Sequence, residues 1–202
     1  MSKRVYISAD YDENGDRNVV NELNKWGRDN LHKTDFIDMS QVVSGSVSND
    51  PDCRPCDLKQ EFNRQINASS AVIFIVGDKT ASRTAGSSCS RVTNNWSNSS
   101  CTPYKQNANG TKSCKVPITS SPDKDGDVGN INTYSYLQHE FEQAKKRNKP
   151  IIIVYNSLRK ESNWLPSYMK GYESVAQPFW IYDISGNKIG NYAYIKKVLG
   201  YA

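Results

Sequence analysis

No stretch of this sequence approaches the ~18 consecutive apolar residues of a membrane-spanning helix. Hydrophobic residues make up only 37% of the chain and the mean hydropathy is -0.71, whereas ~45–50% apolar residues is typical of globular domains. The first four residues lead directly into a short apolar strand, without the apolar segment of a secretory signal. We therefore expect a cytoplasmic protein with no membrane contact, in which a polar segment dilutes an otherwise ordinary core.

The chain also lacks a concentrated charge of either sign. Its net charge of +5 is spread along the 202 residues and forms no basic arm. This distribution favours an ordinary charged surface over a nucleic-acid-binding face. The length predicts a single domain over residues 1–202 that is long enough to bury a substantial core.

Short apolar segments alternate with amphipathic ones along most of the chain. The predicted strands cover residues 5–9, 36–38, 71–76, 151–155 and 179–182, and the predicted helices carry apolar stripes within residues 19–31, 58–66, 137–144 and 192–199. Asp57 is the predicted N-cap of the second helix, with Gln60 three residues further on. This alternation predicts an α/β fold: a parallel five-stranded sheet with helices on both faces.

Residues 81–133 differ in composition from the rest of the chain. Ser, Asn, Thr, Gly and Lys dominate there, and few aliphatic residues are larger than Ala. So little apolar material cannot offset the entropy lost on ordering a segment of this length. We interpret the segment as a Ser/Asn-rich surface insertion between the third strand and the following helix.

The five cysteines leave three alternatives open. Cys53 and Cys56 have the two-residue spacing of a zinc knuckle, and Cys89, Cys101 and Cys114 lie in the insertion. No second paired motif accompanies the first, so zinc, disulfides and reduced thiols all remain hypotheses. The odd number excludes at least one cysteine from any set of disulfides.

The helix that begins near Tyr136 is the most informative stretch. Tyr136 and Glu140 are four residues apart, so they share one helical face. Ligands of parallel sheets bind beyond the carboxyl ends of the strands, and the residues predicted there include Ser8, Tyr11, Asp38 and Thr80. Some candidates have a structural alternative: Ser8 and Asp38 are equally suited to capping or turning the chain, and Tyr136 to packing. His139 is adjacent to Glu140 and suggests a base, but we expect it at the surface.

Three stretches resemble the TIR-like domains of the Thoeris antiphage-defence systems. They are the first strand with its flanks (residues 3–8), the third strand with the Val-Gly-Asp-Lys-Thr turn (residues 69–80), and the Ser-aromatic-x-x-x-Glu helix with the strand after it (residues 135–153). The resemblance implies a flavodoxin-like TIR fold and cleavage of NAD at the nicotinamide–ribose bond. It further implies an ADP-ribose-derived signal, expected to be cyclic, that activates a partner effector.

The resemblance also assigns roles to residues of this chain. The family's catalytic glutamate corresponds to Glu140, and its preceding aromatic residue, usually Trp, corresponds to Tyr136. For substrate binding we expect Tyr11 and Tyr136 to stack on a ring, and Ser8, Asp38 and Thr80 to bind ribose or phosphate. NAD is then a substrate, and no cofactor is required.

The other partners implied are a phage-derived trigger and further copies of the chain. Two alternatives to the enzyme remain: a catalytically silent interaction or sensor module of the same fold, and a flavin or nucleotide binder. The acidic segment after the first strand argues against flavin binding.

Overall fold

A computed structural model describes residues 3–11, 16–28, 34–42, 54–84, 105–106, 112–113 and 135–201. The strands are β1 (Lys3–Ser8), β2 (Thr34–Asp38), β3 (Ala71–Val76), β4 (Lys105–Gln106), β5 (Lys112–Ser113), β6 (Ile151–Tyr155), β7 (Gln177–Pro178), β8 (Trp180–Tyr182) and β9 (Lys188–Gly190). Five of them form a parallel sheet in the order β2-β1-β3-β6-β7. Two antiparallel pairs, β4 with β5 and β8 with β9, lie outside this sheet.

Helices cover both faces of the parallel sheet. They are α1 (Arg17–Gly27), α2 (Met39–Val42), α3 (Arg54–Ala68), α4 (Tyr136–Lys146) and α5 (Tyr192–Val198). Buried apolar side chains of α1 and α5 pack on one face, and those of α2, α3 and α4 pack on the other. This arrangement confirms the predicted α/β, flavodoxin-like fold.

Alternating side chains of the central strands divide between the two layers. In β1, Val5 and Ile7 contribute to the core under α1 and α5, whereas Tyr6 packs on the opposite face. The same alternation runs through β3 and β6, whose buried residues supply both cores. Burial on both faces explains why these strands are almost continuously apolar in sequence.

The last strand of the sheet differs from the prediction. Residues 179–182 were expected to form it, but β7 takes this position with only Gln177 and Pro178, which pair with Val154 and Tyr155 of β6. The apolar segment that follows becomes β8 and pairs antiparallel with β9. Phe179, between β7 and β8, is fully buried and accounts for the strong apolar signal.

The start of α3 also differs from the predicted one. Asp57 is not the N-cap of α3, because the helix already includes Arg54; Asp57 lies in its first turn and is buried. Most of the predicted insertion at 81–133 falls outside the described residues. The same holds for Leu31, at the expected end of the first helix. Within the part of the chain that is described, no helix is both long and apolar enough to cross a membrane.

Candidate active site

A cavity of about 520 Å³ opens beside the carboxyl ends of β1 and β2. This volume lies within the ~300–1,000 Å³ usual for small-molecule sites. The loop after β1, the start of α2, one side of α3, the segment after β3 and the start of α4 form its walls. The lining residues are Ala9, Asp10, Tyr11, Met39, Ser40, Arg54, Leu58, Phe62, Arg83, Thr84, Ser135, Tyr136, Leu137 and Glu140.

Glu140 lies in the second turn of α4 and lines this cavity. Because α4 leads directly into β6, its amino end lies at the carboxyl edge of the parallel sheet. Ser135 caps that end, since its hydroxyl accepts a hydrogen bond from the backbone N–H of Gln138 at 3.0 Å. Phe141 and Ala144 are fully buried against the sheet, and this packing fixes the rotation of the helix. Glu140 therefore faces β1 and the cavity.

Two hydroxyl groups of β1 hold the Glu140 carboxyl group. The Tyr6 hydroxyl donates to Oε1 at 2.5 Å, and the Ser8 hydroxyl donates to Oε2. Tyr6 and Ser8 are two residues apart on one strand, so both side chains leave the same face of the sheet. The carboxyl group is thereby fixed in position by residues more than 130 positions earlier in the chain.

Burial strongly perturbs the ionisation of Glu140. Its side chain is only 4% exposed, and this desolvation raises the pKa of the carboxyl group to about 7, although the hydrogen bonds from Ser8 and Tyr6 favour the charged form. A substantial fraction of Glu140 is consequently protonated at neutral pH. A carboxyl group whose pKa lies near 7 can, when ionised, stabilise a developing positive charge, and it can exchange a proton with a substrate hydroxyl.

Aromatic rings form two other parts of the cavity wall. Tyr136 meets Phe62 of α3 edge to face, with 5.6 Å between ring centroids, so the ring packs against α3 and lines the cavity as well. Tyr11 lies three residues after the end of β1. Burial and, to a smaller extent, the nearby Asp38 charge raise the pKa of its phenol well above the usual value. The structure thus brings Glu140, Tyr136 and Tyr11 to one cavity.

Asp38 and Thr80 have mainly structural contacts. The Asp38 carboxylate accepts hydrogen bonds from the Ser40 backbone N–H at 2.9 Å and from the Asn24 side-chain amide at 2.9 Å. The Thr80 hydroxyl accepts from the Gly77 backbone N–H at 2.8 Å and so closes the turn after β3. Neither residue lines the cavity. Their expected contacts with ribose or phosphate stay predictions without geometric support.

The expectation for His139 was wrong. This residue was expected at the surface, but it is only 1% exposed, and its Nε2 lies 2.9 Å from the Asn63 side-chain oxygen of α3. His139 connects the two helices and does not line the cavity.

The alternatives for the cysteines stay untested, because only Cys56 lies within the described residues, where it is buried in α3. No group of three potential metal ligands occurs in that part of the chain.

Sequence reasoning missed Tyr6, Arg54 and Arg83. Tyr6 resembles a core residue within an apolar strand, but its position two residues before Ser8 places both side chains on one face. Arg54 was not considered as a site residue, because it lay before the expected start of the helix at Asp57. Arg83 follows the turn that ends β3, within the segment assigned to the insertion.

The fold and this cavity define a flavodoxin-like α/β domain with a buried acidic site. Residues 6–85 match the family model of the Thoeris protein ThsB, TIR-like domain. This match confirms the resemblance over β1 to β3, and it ends before α4. Comparison with curated proteins and with solved structures gives no significant match. The expected roles of Glu140 and Tyr136 therefore rest on the motif in α4 and on the geometry of the cavity, because the family match ends at residue 85.

Proposed function

We propose that the protein cleaves NAD at the nicotinamide–ribose bond, with Glu140 as the catalytic residue. The observation that carries the proposal is the buried Glu140 carboxyl group, held by two hydroxyls at the wall of a nucleotide-sized cavity. The family match over residues 6–85 supports the same class of protein. The aromatic residues Tyr11 and Tyr136 offer surfaces for a nicotinamide or adenine ring.

The chemistry requires little acid catalysis. Nicotinamide in NAD is already a cationic leaving group, so the glycosidic electron pair moves onto its ring nitrogen as the bond breaks. The ribose then carries positive charge in an oxocarbenium-like state, as in glycoside hydrolysis. Ionised Glu140 stabilises that charge or orients the ribose hydroxyls. A hydroxyl or amine nucleophile, from water or from the substrate itself, then adds to the ribose and loses its proton to solvent.

The biological part of the proposal concerns the product. Attack by a group of the substrate itself gives a cyclic ADP-ribose species, and attack by water gives the linear one. In the defence role that the family match suggests, such a product activates a separate effector protein after a phage-derived trigger, and copies of this chain associate on activation. In both reactions NAD is a substrate that is consumed.

The test is NAD consumption with product analysis by mass spectrometry, in purified protein and in phage-challenged cells. We expect wild type to release nicotinamide and an ADP-ribose species, and Glu140→Gln to lower the rate by about 10²-fold or more. Glu142→Gln is the matched control, because Glu142 lies on the same helix but pairs with Lys145 at the surface. Absence of NAD cleavage by wild type under challenge would favour the interaction module.

A further inference from the structure

Two arginines lie in the wall of the Glu140 cavity, on segments far apart in sequence. Arg54 is the first residue of α3, and Arg83 follows the short turn after β3. Arg54 is close enough to Tyr136 for its charge to favour ionisation of that phenol, although burial dominates and raises the pKa of Tyr136. One cationic group therefore adjoins the aromatic residue that we expect to stack on the substrate.

The charged residues of the described lining are Asp10, Arg54, Arg83 and Glu140, and they are not all paired with one another. The Arg83 Nε–H donates to the Asp10 Oδ2 at 2.5 Å, so this pair is close to neutral and the guanidinium is oriented at the wall. No carboxylate among the described residues forms an ion pair with Arg54. The remaining acidic residue of the lining is Glu140, which is partly protonated at neutral pH. Among the described residues that line the cavity, no paired carboxylate therefore balances the charge of Arg54.

Guanidinium groups suit one class of ligand in particular. Arginine presents a planar set of N–H donors that matches the oxygens of a phosphate, and its charge is permanent. Ser40 and Thr84 line the same cavity. The Ser40 hydroxyl already donates to the Asp38 Oδ1 at 2.7 Å, so Thr84 is the one of the two that offers a neutral donor. In a dinucleotide the pyrophosphate lies beside the reactive ribose, so a ribose held at Glu140 places phosphates within the same cavity.

We propose that Arg54 and Arg83 bind the pyrophosphate of the substrate and so set the preference of the site for dinucleotides over nucleosides. This inference rests on the proposed function, because it uses the same cavity and places the reactive ribose at Glu140. It adds the residues that select the substrate class. Arg54 and Arg83 act in binding, and neither contacts the bond that breaks.

The kinetic test compares three substrates that differ in phosphate content: NAD, nicotinamide mononucleotide and nicotinamide riboside. For NAD we expect Arg54→Gln and Arg83→Gln each to lower kcat/KM by about tenfold to a hundredfold, mainly through KM. For nicotinamide riboside both variants should match wild type. Arg64→Gln is the control, because Arg64 lies on α3 but pairs with Glu61 outside the cavity lining. Equal losses on NAD and on nicotinamide riboside would overturn the proposal.

A binding measurement separates this proposal from the proposed function. Calorimetric titration of ADP-ribose and of adenosine into Glu140→Gln protein requires no turnover. We expect Glu140→Gln protein to bind ADP-ribose more tightly than adenosine. Adding Arg54→Gln should remove most of that difference in affinity. It should also make the affinity for ADP-ribose depend less steeply on salt concentration. If wild type cleaves no substrate but this pattern holds, the anion site stands and the enzymatic function fails. If ADP-ribose does not bind, or binds equally well without Arg54, the anion site is refuted.

Discussion

Replacing Glu140 by Gln should stabilise the fold above pH 7 and leave it almost unchanged below pH 5. Burial raises the pKa of Glu140 from 4.5 to about 7, so between these values the folded protein binds more protons than the unfolded chain. The stability associated with this group is therefore fully present below pH 4.5 and is lost as the pH rises through 7. Gln carries no charge, so it avoids this loss.

The expected magnitude follows from the size of the pKa difference. A rise of two to three units corresponds to about 3 kcal/mol of stability lost by wild type at pH 8. In a protein of this length that amount shifts the unfolding midpoint by roughly 6–12 °C. The Gln amide retains both contacts at the site, because its oxygen accepts from one of the two hydroxyls of Tyr6 and Ser8, and its nitrogen donates to the other.

The assay is thermal unfolding of wild type, Glu140→Gln and Glu142→Gln between pH 5 and pH 8.5. Glu142 lies on the same helix but pairs with Lys145 at the surface, so its variant should track wild type at every pH. Asp16, whose pKa burial also raises to about 7, is present in all three proteins, so differences between proteins isolate Glu140. A Glu140→Gln difference that is constant with pH, or a loss of stability at pH 8, would refute the argument from burial.

Three further predictions follow from individual contacts. Tyr6→Phe removes a hydrogen bond that favours ionised Glu140, so the acidic limb of the kcat/KM profile for NAD should move to higher pH by about one unit; an unchanged limb would exclude this role. Ser135→Ala removes the cap of α4 and should lower the free energy of unfolding in urea by about 1 kcal/mol. Ser135→Asn keeps a side-chain oxygen at the cap, so this variant should retain most of the wild-type stability. Gly190→Ala would place a methyl group 2.5 Å from the Trp26 ring, so we expect a loss of about 1–3 kcal/mol in the same assay, and no loss would show that the ring moves freely.

The central strands and helix α4 were the most predictable parts of the fold. The observed bounds of β3 and β6 agree with the predicted ones, because a strand buried on both faces is a short, continuous apolar run. Helix α4 was equally clear, since Leu137, Phe141 and Ala144 mark its buried side and Pro150 follows it. These features depend on local patterns that a single sequence displays.

The missed features depend on contacts between distant residues. Nothing local distinguishes Tyr6 from a core aromatic, because the partner of its hydroxyl lies on α4. His139 was misplaced for the same reason, since its partner Asn63 lies on another helix. The strand β7 consists of Gln177 and Pro178, which carry no apolar signal, while the neighbouring Phe179 attracted the strand prediction. The structure around Tyr6, His139 and β7 is set by contacts with residues distant in sequence, which local propensity does not reveal.

The alternation of side chains along β1 separates two kinds of mutational effect. Val5 and Ile7 point into the core under α1 and α5, whereas Tyr6 and Ser8 point to Glu140. In a mutational scan that records cellular abundance and NAD cleavage separately, polar substitutions at positions 5 and 7 should lower both quantities together. Ser8→Ala should lower cleavage while abundance is preserved. One strand of six residues would then show sensitivity to folding and sensitivity to chemistry at successive positions.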